Sequence, residues 1–238
     1  MIEQARRARR HLHVAVVYNA DRDCGPDQPD DRGSTADLRA MIRQIARALR
    51  SAGYHVTVLP LARDLFAFQR RLRRLSPDVV FNQYDDVVHG ALYEMRLPAL
   101  VRMMGFPVTG SPALAIGLTR YKYMTATLLQ GAGIRIPPCT TLLERVGDVD
   151  RHKWQFPLIV QPSQEHASIG LDRNSVVYSK KALRAKAREV LQGYKQPVLV
   201  QGFLPGREFN VGIVGGRRLR VLPLGEVDYA KLPSHIPP

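Results

Sequence analysis

The apolar positions follow two alternating patterns in the first third of this chain. The run His13–Tyr18 is apolar from Val14 onward, as is typical of a strand buried inside a parallel sheet, and two further strands are predicted over Tyr54–Leu59 and Val79–Asn82. Between residues 37 and 53 the apolar residues recur every three or four positions with arginines between them, which predicts an amphipathic helix. A basic helix is predicted over Leu65–Leu75. Strands that alternate with helices indicate βαβ units and a parallel sheet.

The middle of the chain has a mainly helical pattern. A helix is predicted over Leu92–Met104, and Pro98 inside it is expected to kink the helix or shift its start. Another helix is predicted over Leu118–Gly131, because Gly131 and Gly133 end its apolar pattern.

From residue 156 onward the apolar runs become shorter and are bounded by proline and glycine. Phe156–Pro162 predicts a short buried strand. The next residues, 163–170, are small and polar with one glycine, which predicts a loop whose backbone N–H groups are able to face a ligand. The remaining predicted elements are a strand over Ser175–Tyr178, a basic helix over Lys180–Gly193, a strand over Pro197–Leu204, and a turn with a further strand over Pro205–Val214.

The composition is that of a soluble globular protein with a strong excess of basic residues. The 238 residues suffice for one large or two small domains, and 45% of them are hydrophobic. The 35 Lys and Arg residues against 21 Asp and Glu give a net charge of +14. Such a charge suits polyanions, including nucleic acid. The arginines are spread along the chain, however, and no nucleic-acid recognition motif is present, so we interpret them as solvated faces and do not expect nucleic acid as a partner.

The cysteines and the termini indicate a cytoplasmic protein. Cys24 and Cys139 are too far apart in sequence to suggest a metal site, and we expect no disulfide between them. No apolar run approaches the roughly 18 residues of a membrane span. Met1–Arg10 is basic but lacks the apolar segment of a secretory signal. We therefore expect no membrane association.

Two stretches carry a family resemblance. Phe156–Pro162 reads FPLIVQP, and Gly206–Phe209 reads GREF, following a strand that contains Gln201. These stretches, with Ser168 and Gly170 between them, resemble the nucleotide-binding half of ATP-grasp ligases, most closely the D-alanine–D-alanine ligase-like group. That group has FPxIVKP and VEEYxxGREFxV at these places. Gln161 therefore stands where the family has lysine, and Gln201-Gly202 stands where it has two glutamates.

The resemblance implies a fold and a division into domains. The fold class is α/β, with an N-terminal open parallel-sheet domain of the Rossmann-like, pre-ATP-grasp type and an α+β ATP-grasp subdomain. The implied boundaries are 1–121 for the first domain, 122–205 for the small nucleotide-binding subdomain and 206–238 for the truncated start of the large subdomain. Another hundred or so residues follow in the family.

The resemblance also implies site residues. The nucleotide-binding candidates are Lys122, Gln161, Glu165, Ser168, Gln201, Phe203, Leu204 and Glu208. Lys122 would contact phosphate, the loop with Ser168 would cover the phosphates, Phe203 and Leu204 would contact adenine, and Glu208 would bind ribose. Ser168 and Glu94 are the two candidates for a catalytic role.

Each candidate also has an ordinary structural interpretation. Lys122 has the sequence context of a solvated lysine at a helix start, and Gln161 that of a glutamine facing solvent at a strand end. Phe203 and Leu204 would serve equally as core residues. Glu208 would form a salt bridge with Arg207 or another arginine.

The chemistry that the resemblance implies is ATP-dependent joining of a carboxylate to an amine through an acyl phosphate. ATP is the expected cofactor, with Mg²⁺, and a small amino-acid-like molecule is the expected substrate. The family's Mg²⁺ ligands follow the part matched here, so we predict no metal-binding residue and negligible ligase activity for this chain alone. The alternative is a degenerate module that binds a nucleotide or a partner without turnover. A lost C-terminal part would expose a sheet edge and apolar surface, which favours a homodimer.

Overall fold

A computed structural model describes residues 12–19, 32–62, 64–84, 91–165, 168–216 and 218–229. Met1–Arg10 and Cys24, which entered the expectations on targeting and disulfides, lie outside these residues. The chain divides into two compact units, Met1–Tyr121 and Lys122–Pro238.

The first unit contains a three-stranded parallel sheet flanked by helices. The strand order is β2-β1-β3, and both neighbours pair with β1 in parallel. The elements are β1 (His13–Asn19), α1 (Arg32–Ser51), β2 (His55–Leu61), α2 (Leu65–Leu75), β3 (Val79–Gln83), α3 (Ala91–Met103) and α4 (Ala113–Arg120). The predicted parallel sheet is therefore confirmed. Pro98 lies inside α3.

The middle of the central strand, Val14 to Val17, is apolar at every position because both faces of the strand are covered. Val14 and Val16 pack into a cluster with Leu38 and Ile42 of α1. Ala15 and Val17 belong to a second cluster that includes residues of α2 and α3. Burial on two faces explains why β1 is a continuous hydrophobic run instead of an alternating one.

The prediction of one helix over Leu118–Gly131 was wrong. The structure has two helices here, α4 and α5 (Lys122–Gly131), separated at Tyr121. The Lys122 N–H donates to the carbonyl of Ser163 (3.2 Å) instead of to the preceding helix. No glycine or proline marks this break, and the bond that accompanies it reaches a residue about forty positions away.

The second unit is built on a four-stranded antiparallel sheet of order β4-β7-β5-β6. Its elements are α5, β4 (Thr141–Leu143), a 3₁₀ helix (Val146–Arg151), β5 (Leu158–Pro162), β6 (Val176–Val177), α6 (Lys180–Tyr194) and β7 (Val198–Gly202). Leu158, Val160 and Val200 form a fully buried core with Leu183 and Val190 of α6. The sequence predicted β5, β7 and α6 within a few residues and did not predict β4.

Four short strands follow and form two separate antiparallel pairs. They are β8 (Glu208–Asn210), β9 (Ile213–Gly215), β10 (Leu219–Val221) and β11 (Gly225–Val227). β9 pairs with β10, and β8 pairs with β11. Apolar side chains on β9 and β10 are exposed, including Ile213 (58%) and Leu219 (72%). Pairs of this size are marginally stable by themselves in water.

An ion pair joins the 3₁₀ helix to α6. Arg184 donates two hydrogen bonds to the Asp150 carboxylate (2.6 and 2.7 Å), and Lys180 approaches the same group at 2.8 Å. The hydrogen bonds from Arg184 and Lys180 lower the pKa of Asp150 to about 2. The stabilisation is therefore fully present above the ordinary Asp pKa near 3.8 and is lost as the pH falls through about 2.

We expect Asp150→Asn to lower the thermal midpoint slightly at pH 7 and to have a much smaller effect near pH 1.5, because most of the wild-type carboxyl groups are then protonated. Thermal unfolding of both proteins across this pH range measures the difference, with Glu144→Gln as an exposed control. A difference that persists undiminished at pH 1.5 would contradict the charge-based explanation.

Candidate functional site

The two faces of the β5–β7 pair have different chemistry. Gln161 lies opposite Leu199 and Ile159 lies opposite Gln201, so these four residues share one face. The other face is the apolar core against α6. The two glutamines therefore stand on the face that does not contact α6.

A line of polar side chains crosses this face. The Lys122 Nζ donates to Gln161 Oε1 (2.8 Å) and to the Pro162 carbonyl (3.1 Å). Gln161 Nε2 lies 3.4 Å from Gln201 Oε1, and Gln201 Nε2 donates to Thr140 Oγ1 (3.1 Å). We call Lys122, Gln161, Gln201 and Thr140 the polar line.

The orientation of both amides follows from the lysine. An ammonium group only donates, so Gln161 must turn its oxygen to Lys122 and its NH₂ group to Gln201. Gln201 then accepts with its oxygen and donates with its nitrogen to Thr140. The Thr140 hydroxyl donates in turn to the Pro137 carbonyl (2.6 Å). The polar line is thus a directed series that begins at one positive charge.

This arrangement bears on the interpretation of Gln161 as a glutamine that faces solvent. The side chain is half-buried and bonded to Lys122, so it does not simply face solvent. The pair offers one ammonium group and one neutral amide. A neutral donor makes a hydrogen bond to phosphate roughly half as strong as a charged one does. The site therefore carries less positive charge than a lysine at 161 would supply.

The loop after β5 is held on its N-terminal side. Ser163 N–H donates to the Pro197 carbonyl (3.1 Å), and Gln164 N–H donates to Gln196 Oε1 (2.7 Å). Gln196 Nε2 donates to Glu165 (2.8 Å). The Glu165 carboxylate is thus bound to the turn after α6. Residues 166 and 167 lie outside the described part of the chain.

The loop continues at Ser168 with a tight turn. Ser168 has a positive φ of 61°, and its carbonyl accepts from Leu171 N–H (3.0 Å). Gly170 has φ +79°, and a Cβ there would lie 2.5 Å from Pro162 Cγ and 3.1 Å from Tyr194 Cζ. Glycine is required at 170 because the loop backbone lies directly against the end of β5.

The segment after β7 begins with close backbone contacts. Gly202 N–H donates to the Pro138 carbonyl (2.6 Å), and Phe203 N–H donates to the Pro157 carbonyl (3.0 Å). Phe203 is half-buried, whereas Leu204 is 62% exposed. Leu204 is therefore not a core residue within the described chain.

Glu208 lies on β8, in the sheet that pairs with β11 and not in the sheet of the polar line. The Tyr229 hydroxyl donates to its carboxylate, and this bond raises the pKa of Tyr229. Arg207 binds Glu226 through two hydrogen bonds (2.6 and 2.7 Å). The expected alternative of an Arg207–Glu208 salt bridge is replaced by this cross-strand pair.

Glu94 lies in the first unit, on α3. Its carboxylate is 3.6 Å from Arg120 at the end of α4, and the Arg120 side chain is only 4% exposed. This pair joins two neighbouring helices, which is a structural role for Glu94.

Several residues that contact the predicted nucleotide-binding residues were not themselves predicted from the sequence. Thr140 and Gln196 both bond predicted residues, and Pro162 contributes only a carbonyl. Thr140 precedes the unpredicted strand β4, and Gln196 lies in a turn, so no motif marked either one. In the described residues no group of three or more His, Cys, Asp or Glu side chains could hold a metal ion. No helix in the same part of the chain is long and apolar enough to cross a membrane.

Comparison with solved structures defines the fold. D-Alanine–D-alanine ligase from Helicobacter pylori matches with a TM-score of 0.64 at 18% identity, covering 94% of this chain and 77% of that one. The enzyme from Bacillus anthracis, crystallised with ATP, matches with a TM-score of 0.57 at 16% identity, covering 91% of this chain and 66% of that one. The chain thus has the α/β ATP-grasp fold.

Sequence comparison shows which ATP-grasp proteins this chain is similar to. The family model described as D-ala D-ala ligase C-terminus matches residues 128–232. D-Alanine–D-alanine ligase from Aquifex aeolicus is 31% identical over 193 residues, covering 79% of this chain and 62% of the relative. The ligase from a Chelativorans species is 30% identical over 223 residues, covering 91% of this chain and 65% of the relative.

The chain is a D-alanine–D-alanine ligase-like protein of the ATP-grasp superfamily, as its motifs predicted. It spans less than two thirds of the length of these curated relatives.

Proposed function

We propose that this chain is the nucleotide-binding part of an ATP-dependent carboxylate–amine ligase. The observation that carries the proposal is the polar line, in which Lys122 stands beside Gln161 at the end of β5. A lysine fixed by two acceptors presents an ammonium group in a defined position, which suits a phosphate oxygen. The Bacillus anthracis neighbour, crystallised with ATP, supports the choice of ATP as the nucleotide.

The predicted residues then have distinct roles. Lys122 and Gln161 bind phosphate, and Ser168 covers it from the loop that rests on Pro162. Gln201 and the segment of Phe203 and Leu204 contact adenine. Glu208 binds ribose hydroxyls, for which its exposed carboxylate on β8 is suited. Ser168 and Glu94 stay candidates for a catalytic role.

The reaction proposed for the complete ligase has two steps. The γ-phosphoryl group of ATP passes to the substrate carboxylate, and ADP leaves. The amine of a second small, amino-acid-like molecule then attacks the acyl carbon and expels phosphate. Both steps depend on positioning and on charge neutralisation. Mg²⁺ would neutralise phosphate charge, and we propose that its ligands belong to the part of the ligase not matched here.

We therefore expect this chain alone to bind ATP and to have negligible ligase activity. Purified chain incubated with Mg²⁺, ATP and D-alanine should release phosphate no faster than buffer, and other amino acids should behave alike. Coupled measurement of inorganic phosphate tests this, with a full-length D-alanine–D-alanine ligase as the positive control. Phosphate release that depends on D-alanine would overturn the expected inactivity.

A second candidate is a module that binds nucleotide without turnover in any context. The neutral Gln161 favours it, because binding demands less charge than phosphoryl transfer. Calorimetric titration with ATP, with and without Mg²⁺, separates the candidates. Micromolar binding that is independent of Mg²⁺ supports the module, and no binding indicates a scaffold.

We also propose that the exposed strands form an interface. Ile213 and Leu219 lie on paired strands with open edges, a feature that usually is covered by further polypeptide. In the isolated chain this surface favours a homodimer. Separately, we propose that the protein is located in the cytoplasm. Sedimentation of the chain across a concentration series tests the homodimer.

A further inference from the structure

The C-terminal half of the proposed phosphate loop is held from helix α6. The segment from Ser168 to Ser175, which we call the 168–175 loop, is the part of the connection between β5 and β6 that leads into β6. Gly170 lies against Pro162 and Tyr194, the last residues of β5 and α6. Two residues further on, Asp172 carries the only carboxylate of this loop.

Lys186 reaches this carboxylate from a buried position on α6. Its side chain is 4% exposed, and Nζ donates to Asp172 Oδ2 (2.9 Å) and to Glu189 Oε1 (2.7 Å). Burial disfavours the charge, but the hydrogen bonds that Lys186 donates to Glu189 and Asp172 outweigh it and raise the pKa of Lys186. Lysine is rarely buried unless it is paired, so this position requires its partners.

Asp172 transmits this contact to the backbone of the loop. Its Oδ1 accepts from Asn174 N–H (2.8 Å), and its own N–H donates to Ser175 Oγ (2.9 Å). Ser175 is 2% exposed, and its carbonyl accepts from Val160 N–H (2.8 Å). The ammonium group of Lys186 is thus connected through two residues to β5, one position before Gln161.

We propose that Lys186 is a positioning residue: by binding Asp172 it holds the 168–175 loop against the end of β5 in the conformation that binds the phosphates of the nucleotide. The proposal rests on the function proposed above. Lys186 itself contacts no nucleotide. It acts through Asp172. Gln196 instead bonds Gln164 and Glu165, which precede the 168–175 loop.

The test uses the full chain and combines two measurements. Lys186→Met keeps most of the buried volume and removes the donor, and Asp172→Asn removes the charge of the acceptor at a half-exposed position. Hydrogen–deuterium exchange without nucleotide should become at least about fivefold faster in residues 168–175 of both variants, because a broken tether lowers the local opening free energy. The Kd for ATP, measured by calorimetry, should rise about three- to tenfold.

Two controls separate positioning from general stability. Glu189→Gln removes the charge of the partner that lies outside the loop but keeps an oxygen that accepts from Lys186, and both measurements should stay near wild type. Lys186→Arg should recover most of the affinity lost in Lys186→Met, because the guanidinium still pairs with Asp172. The double variant of residues 172 and 186 should be no worse than either single variant, as expected for one shared contact.

The outcomes distinguish the two proposals. Unchanged exchange in Lys186→Met overturns the tether, and faster exchange with an unchanged Kd overturns the positioning role. If wild-type protein fails to bind ATP, the proposed function fails, while the exchange experiment still decides whether the tether exists. If Lys186→Met does not fold, Asp172→Asn provides both measurements.

Discussion

Replacing Lys122 with methionine is expected to weaken ATP binding about 10- to 100-fold. Hydrogen bonds to charged groups contribute about 1.5–3 kcal/mol, and each 1.4 kcal/mol corresponds to about tenfold in Kd. Lys122 is the single cation of the polar line, so no neighbouring residue in that line replaces its charge. Methionine preserves the length of the side chain and its helix propensity.

Calorimetric titration with ATP at constant salt measures this loss. Lys181→Met is the matched control, because Lys181 is an exposed lysine in the same unit, on α6. It should leave the Kd almost unchanged. Both variants should keep thermal midpoints close to wild type, because the two hydrogen bonds that Lys122 donates to Gln161 and to the Pro162 carbonyl are only partly buried. Equal effects of the two variants would show that Lys122 is not a phosphate ligand.

Gln161→Lys is expected to produce the opposite effect and to tighten ATP binding about tenfold. The change replaces a neutral donor with a charged one at the end of β5, and charge-assisted hydrogen bonds are about twice as strong. Without nucleotide, however, two ammonium groups would stand where Lys122 Nζ now lies 2.8 Å from Gln161 Oε1. We therefore expect a lower thermal midpoint for the free variant and a larger rise on adding ATP than wild type shows.

Thermal unfolding with increasing ATP measures both effects together, since a ligand stabilises the folded state in proportion to ln(1 + [L]/Kd). Gln161→Met is the control for loss of the amide. It should share the loss of bonds to Lys122 and Gln201 without the gain in affinity. If Gln161→Lys binds ATP no better than Gln161→Met, the end of β5 does not face phosphate.

Prediction from the sequence succeeded where local pattern and burial agree. Val14 to Val17 of β1 are all apolar because helices cover both faces of the sheet, so this run of hydrophobic residues was sufficient to identify the strand. The helix over Leu65–Leu75 was predicted to the residue. Asp64 caps its N-terminus, and Ser76 ends it in the left-handed conformation. Residues next to the helix therefore set both of its boundaries.

Prediction failed where a distant residue decides the outcome. The break at Tyr121 depends on the bond from Lys122 to the Ser163 carbonyl. The sequence also did not indicate that Gln196 donates to the Glu165 carboxylate, while the predicted nucleotide-binding role of Glu165 stays a prediction. The partner of Arg207 is Glu226, across a strand pair that the sequence did not indicate.

The sequence by itself determined the parallel sheet, the α6 helix and the motif frame that marks an ATP-grasp protein, because periodicity, glycine and proline act over a few residues. Only the tertiary structure decided which side chains meet. Lys122, Gln161 and Gln201 form one polar line because antiparallel pairing of β5 and β7 sets their register, and the fold brings α5 to the end of β5. Those contacts join residues about forty positions apart, and hydrogen bonds at that separation leave no local trace in the sequence.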